Sequence, residues 1–347
     1  MLFSLPQLAP VFLTSAFASP LISRDTQCRG ISGPFLGGSF PDPSLINLNS
    51  TWYAFGTHNG KDVQMGSSPK LESGWNKTGA PRLDMEAAMW SGEDKPGKGW
   101  SVWAPDVYKR CSDGKFVMYF SARDKETIGT KRAQHCIGAA ISDSIGGIYH
   151  PINDFVQCNR TSAGVIDPAW FKDTDNRQYV VYKTEIPHNY LEIREVTSSS
   201  SSSSSSAANE GISWASHAYK LLKAHSQGFN DGGNIEAPYI FKRGNVYFLA
   251  YSTHFTGDGT YDVQYATAEH VLGPYTRVKE PLVTTTMEFG CRLVGPGGAS
   301  FERESGGVED VVRMAFHGLT EEMDINKRVV YTATVRVEGK RLVIEKD

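Results

Sequence analysis

A strand–turn–strand phrase recurs five times along this 347-residue chain. Its copies are FPDPSLINLNSTWYAFGTH at 40–58, WAPDVYKRCSDGKFVMYFSA at 103–122, VIDPAWFKDTDNRQYVVYKT at 165–184, IEAPYIFKRGNVYFLAYSTH at 235–254 and GPGGASFERESGGVEDVVRMAFHG at 295–318. Each begins with small residues or proline and runs into a short apolar stretch. It then turns at Asn47–Asn49, Asp113-Gly114, Asp175-Asn176, Gly244-Asn245 or Gly306-Gly307. The return strand alternates bulky residues: Tyr53 and Phe55, Val117 and Tyr119, Val180 and Tyr182, Phe248 and Ala250, Val312 and Met314. Period-two runs about turn residues are hairpins, and these side chains suit a pleated surface. A second strand pair follows, weakly at 62–78 and clearly at 136–152 and 262–278, and KRVVYTATVRVEGKRLVIE ends the chain with two more strands.

The copies lie about 60–70 residues apart, and the longest interval contains the serine tract Ser198–Ser206. Four-stranded units at that period are propeller blades, so five copies predict an all-β, five-bladed β-propeller. A sandwich would also supply many strands, but it would not require five hairpins of one grammar at one spacing. The serine tract cannot pack a core and predicts a disordered surface loop over 198–206.

In a propeller the first strand of each blade lines the central axis, so residues that start these strands gather at one end of it. Asp42, Trp103, Asp167, Glu236 and Gly297 hold about the same place in the five copies. Three carboxylates far apart in sequence therefore converge. Their repulsion and desolvation raise at least one pKa and let one acid keep its proton near neutral pH. Glycoside hydrolysis uses such a group: one acid protonates the leaving oxygen while another carboxylate activates water or attacks the sugar. Glu236, with the longer side chain, is the candidate donor and Asp42 the candidate base. Asp167 would orient the sugar and support the protonated state of Glu236. Asp42 and Asp167 taken singly read as turn acids before proline, whereas Glu236 has no such turn preference. Trp103 is a candidate stacking wall, with a core aromatic as the alternative. His317, in MAFHG, is a candidate binding residue that would cap the axial channel, hydrogen-bond a catalytic acid through water or bind a metal, or an ordinary buried histidine. Arg292, in CRLVGPGG, is a candidate partner for a sugar hydroxyl or Asp167, or an exposed structural arginine. Gly295, Gly297 and Gly298 read as tight backbone near the axis, since the strand–loop–helix context of a phosphate loop is missing.

The ordered set of PDP at Asp42, WAPDV at Trp103–Val107, IDPAWF at Asp167, IEAPYIF at Glu236 and the histidine at 317 resembles glycoside hydrolase family 43 over nearly all of the mature sequence. The resemblance implies inversion at a furanose or pyranose linkage. It implies Asp42 as base, Asp167 as the pKa-modulating aspartate, Glu236 as general acid, His317 in the channel and, more distantly, Arg292 as a substrate-binding arginine. Implied substrates are arabinan, arabinoxylan, xylan-derived saccharides and, in some branches, galactan. Family xylosidases commonly carry a C-terminal β-sandwich, and this sequence stops just after the fifth copy. The expectation is therefore an α-L-arabinofuranosidase or arabinanase. A β-xylosidase or galactan-acting enzyme is the alternative, and a non-catalytic carbohydrate-binding propeller is a further one. No cofactor and no catalytic metal is expected, while a structural calcium or sodium in the axial channel would suit oxygen ligands.

Residues 1–18 resemble a secretory signal peptide, with an apolar run from Leu2 and the small-x-small sequence Ala16-Phe17-Ala18, although no positive residue precedes the run. The remainder, 19–347, reads as one domain, secreted to the extracellular space and monomeric. Sequons at Asn49, Asn76 and Asn159 agree with that route. The five cysteines show no zinc spacing and predict one or two disulfides with at least one thiol left over. A formal net charge of -3 gives no basic excess for nucleic acid or an anionic membrane surface, and no later stretch is long and apolar enough to span a bilayer.

Overall fold

The computed structural model describes residues 28–346 except for 59–62, 80–82, 94–96, 131–132, 153, 198–210, 304–309 and 321–322. The segment read as a signal peptide, the serine tract and the turn at Gly306-Gly307 lie outside the described residues.

The chain forms five antiparallel sheets arranged as the blades of a propeller. It begins with β1 (Ile31–Phe35). Blade one is β2 (Ser44–Leu48), β3 (Thr51–Gly56), β4 (Gln64–Ser68) and β5 (Asn76–Lys77). Blade two is β6 (Trp103–Lys109), β7 (Phe116–Arg123), β8 (His135–Ser142), β9 (His150–Pro151) and β10 (Gln157–Cys158). Blade three is β11 (Val165–Lys172), β12 (Gln178–Thr184), β13 (Tyr190–Val196) and β14 (Tyr219–Lys223). Blade four is β15 (Ile235–Arg243), β16 (Val246–Thr253), β17 (Asp262–Ala268) and β18 (Thr276–Arg277). Blade five contains β19 (Gly297–Phe301), β20 (Val311–Gly318), β21 (Val329–Glu338) and β22 (Arg341–Ile344). The first strands β2, β6, β11, β15 and β19 touch one another in a closed ring about the axis. No helix among the described residues is long and apolar enough to cross a membrane.

Alternation within each second strand explains the blade packing. On β12, Val180 and Tyr182 join the apolar cluster shared with blade two, while Tyr179 and Val181 join the one shared with blades four and five. Both faces are buried, which is why Tyr179 to Tyr182 run without a polar residue. Further clusters join blades one and two through Phe55 and Phe120, and blades one and five through Ala54 and Ala315. Each large side chain fully buried in this way contributes roughly 1.5–3 kcal/mol.

Two details depart from the sequence reading. The first hairpin turns at Asn49-Ser50, both at positive φ as a two-residue hairpin turn requires, while Asn47 stays in the ladder opposite Trp52. In blade five, β1, which precedes blade one in sequence, pairs with β21 beside β22, so a strand from before the first blade completes the last one. The disulfide Cys28–Cys291 ties the segment before β1 to the connection between blades four and five, Cys136–Cys158 joins β8 to β10, and Cys111 is a free, exposed thiol.

Candidate active site

Every first strand starts with the same backbone device. Asp42, Ala104, Asp167, Ala237 and Gly298 all have positive φ, between 42° and 59°. Pro43, Pro105, Pro168 and Pro238 follow the first four, and Ala299 the last. In blades two to five the ladder shifts register across this pair of residues, which is a bulge. A proline fits there because an innermost strand presents a free edge to the axis. The bulge corrects the expected register. Asp42 and Asp167 are equivalent, but Glu236 stands one residue earlier, at the place held by Trp103, Ile166 and Gly297 in the other bulged strands.

The bulge amides are held by the ends of the second strands. Ala104 donates to Thr57 Oγ1 (2.9 Å), Asp167 to Ser121 Oγ (3.1 Å), Gly298 to Ser252 Oγ (3.0 Å) and Asp42 to His317 Nδ1 (3.0 Å). Each bond links one blade to the next, and the last joins blade five to blade one. Glycine is required at 297 and 298. A Cβ on Gly297 would lie 2.0 Å from the Tyr261 ring, and one on Gly298 would lie 2.8 Å from Asp42 Oδ1.

The three acids meet at this end of the axis in different surroundings. Asp42 accepts from Thr57 Oγ1 (2.6 Å), with Arg328 Nη1 at 4.0 Å. Burial raises its pKa above the ordinary value, against the opposing pull of Arg328 and Thr57. Asp167 Oδ2 accepts the Ala237 amide (2.9 Å). Burial, then the charges of Glu236 and Asp42, push its pKa up to about 8. Glu236 accepts from Lys183 Nζ and from the Tyr261 hydroxyl, each at 2.9 Å. Burial would raise Glu236, but the Lys183 charge and the hydrogen bonds to the carboxylate outweigh it and hold its pKa below the ordinary value. The sequence reading expects Glu236 to be the acid that holds its proton, whereas here burial and the neighbouring carboxylates raise Asp167 and the Lys183 charge lowers Glu236.

Beyond the bulges lies a small axial cavity of about 40 Å³, bounded by residues of all five first strands. It has room for about one water molecule. Asp106 closes one side of it. This carboxylate accepts from Ser44 Oγ (2.7 Å) and the Trp170 amide (2.7 Å) and is paired with the Arg303 guanidinium. Arg303 also donates to the carbonyls of Trp170 and Val107. The guanidinium already balances the charge of Asp106. Elsewhere, among the described residues, Asp124, Cys136 and Cys158 bring possible metal-binding atoms within 4.8 Å of one another. The two sulfurs are joined in a disulfide and Asp124 is held by Arg160, so this trio fits a metal only with the disulfide open.

The proposed binding residues fare differently. Trp103 is half-buried at the place Glu236 takes in blade four, its ring 4.0 Å from the His135 ring, with Arg123 5.7 Å away. His317 is fully buried. Burial, aided by Arg328, drives its pKa well down, so the ring is neutral. It positions Asp42 and does not face an open binding surface, because the Tyr261 ring stacks beside it. Arg292 is exposed in the connection before β19 and forms no ion pair among the described residues. The cations beside the acids are Lys183 and Arg328. The sequence reading missed both of these, and also Thr57 and Tyr261. Alignment of the second-strand ends would have picked out Thr57, Ser121, Lys183, Ser252 and His317 as one set.

Comparison with known proteins places this geometry. An extracellular endo-α-(1→5)-L-arabinanase of Thermotoga petrophila is 24% identical over 291 residues, which is 73% of this chain and 55% of that protein. The chain thus spans just over half the length of that relative. A xylosidase/arabinosidase of Humicola insolens is 37% identical over 90 residues, 26% of this chain and 24% of that one. The crystal structure of a thermostable family-43 glycoside hydrolase superposes with a TM-score of 0.72 at 22% identity, covering 93% of this chain and 96% of the other, and so shares the fold. Residues 31–338 match the family described as glycosyl hydrolases family 43. The chain is a glycoside hydrolase and belongs to that family.

Proposed function

We propose that this enzyme inverts configuration at an arabinofuranosyl linkage of plant cell-wall arabinan or arabinoxylan, in a single displacement. The observation that carries the reading is the convergence of three carboxylates on the axis with their proton affinities set apart. Asp167 and Glu236 come from adjacent blades, and the Ala237 amide binds Asp167 directly. Asp42 comes from blade one, which does not neighbour blade four in the ring. Asp42 and Glu236 therefore approach a bound sugar from separate sides, as a base acting on water and an acid acting on a leaving group must.

In this reading Asp42 takes a proton from the attacking water, steadied by Thr57 and by the His317 contact to its amide. Glu236 donates to the leaving oxygen. Asp167 stores the proton near neutral pH and contacts the sugar. Trp103 forms part of the wall. No metal takes part in these steps. The arabinanase activity named for the T. petrophila relative supports arabinose, and its extracellular designation together with two disulfides supports secretion. The H. insolens relative, named for both activities, favours a second reading as a β-xylosidase. Product analysis on arabinan, arabinoxylan and xylan, with the anomer followed by NMR as it forms, decides between them. Release of arabinose or arabino-oligosaccharides with the inverted anomer first is the expected result. Xylose alone would support the second reading, and a retained anomer would remove the single displacement.

A further inference from the structure

The ring of second-strand ends has one exception. Thr57, Ser121, Ser252 and His317 each accept the bulge amide of the following blade. The equivalent residue in blade three is Lys183, paired with Ile166 as Ser121 is with Trp103 and Ser252 with Glu236. An ammonium has no lone pair to offer. The amide it would have bound, that of Ala237, goes to Asp167 Oδ2 at 2.9 Å. Lys183 Nζ donates instead to Glu236 Oε2 (2.9 Å) and Asn234 Oδ1 (2.8 Å), with the side chain only 7% exposed. A single residue type at one ring position thus creates both the contact that charges Glu236 and the contact that binds Asp167 next to it.

We propose that Lys183 is a positioning residue that fixes where the proton shared by Asp167 and Glu236 resides, keeping it on Asp167 in the resting enzyme and so setting the alkaline limit of catalysis. The proposal rests on Glu236 being the donor. Loading the donor is an internal transfer in which Asp167 loses a proton, Glu236 gains it, and the total is unchanged. Lys183 interacts with both carboxyls and can stabilise whichever one is charged. The other groups bearing on the pair are Asn234 and Tyr261 from blade four, Asp42 from blade one with Arg328 from blade five beside it, and Glu185 just past the end of β12, itself under the influence of Arg123. None of them is a second ammonium on Glu236.

Two measurements test this. In the pH profile of kcat/KM on the natural glycoside, Lys183→Met should move the alkaline limb upward by about one unit or more, because the pair then holds its proton more tightly. Lys183→Arg should leave that limb near its wild-type position. A uniform fall in rate with an unmoved limb would mean a purely structural lysine and would overturn the proposal. The second measurement does not need the Lys183 variants to fold. Infrared difference titration of the intact enzyme should show a protonated-carboxyl band at neutral pH that shifts when aspartate side-chain carboxyls carry 13C, does not shift when glutamate carboxyls do, and disappears in Asp167→Asn. A shift with the glutamate label instead would overturn it. The infrared result stands whichever residue is the donor. Failure of the donor assignment would appear separately, as equal losses for Glu236→Gln on good and poor leaving groups.

Discussion

Two ion pairs stand on the same axis on either side of a small cavity, and they are built to opposite ends. Asp106 and Arg303 have their polar atoms met by Ser44, the Trp170 amide and the carbonyls of Trp170 and Val107, so contacts converge there from blades one, two, three and five. Glu236 and Lys183 share their surroundings with two more carboxylates, and one of these keeps its proton near neutral pH. The first pair is complete and locks the ring. The second sets three carboxyls against two cations, Lys183 and Arg328, and balances only while Asp167 keeps its proton, an arrangement that chemistry can use. Charge burial alone does not distinguish a structural pair from a catalytic one; the number of unmatched charges does.

The comparison can be broken at the acids first. Glu236→Gln should lower turnover on natural glycosides by about 10²–10⁴-fold, with a smaller loss on activated aryl glycosides that need less protonation. Asp42→Asn should lose activity on both kinds of substrate. Full activity on aryl glycosides in the latter variant would remove Asp42 as base. Steady-state kinetics with the two leaving groups reads both effects.

At the other pair the loss should be of stability. Arg303→Met leaves Asp106 buried without its partner, a change of about 3–5 kcal/mol by denaturant unfolding. The double variant with Asp106→Asn should recover part of that. If Arg303→Met shifted the pH profile while stability held, the division between the two pairs would be wrong.

A third change sharpens the contrast through pH. Asp167 keeps its proton up to about pH 8 in the fold but releases it near 4 when unfolded. The stability it contributes is therefore full below pH 4 and declines as pH rises towards 8, by no more than ~1.4 kcal/mol per pH unit. Asp167→Asn should flatten that decline and raise Tm at pH 8 relative to the parent, at the expense of activity. An unchanged slope would contradict the assignment of the proton. The smallest effect is expected from Thr57→Val, which removes the hydroxyl donated to Asp42. The acidic limb of kcat/KM should move to higher pH with less than about a tenfold loss in rate, and Thr57→Ser should restore it.

Much of this was legible in the chain. Hairpin grammar is local: alternation and turn residues lie within some twenty positions of one another, and a fixed topology then sends every first strand to the axis. Asp42, Asp167 and Glu236 could be brought together on those grounds alone. Their exact register could not, because the copies were matched on acids when the backbone repeats on the residue before each proline. Trp103 starts the first strand of its blade as the repeat predicts, with its ring against His135 and Arg123, while Arg292 and His317 were assigned from neighbouring sequence that does not fix exposure.

The sequence by itself determined the five-fold ring and the meeting of the carboxylates, since both follow from short-range patterns repeated at one period. Only the tertiary structure decided which carboxylate is charged, which cations stand beside them, and how β1 closes the last blade. Those outcomes depend on desolvation and on distances between different blades, such as Lys183 to Glu236, and no local pattern encodes them.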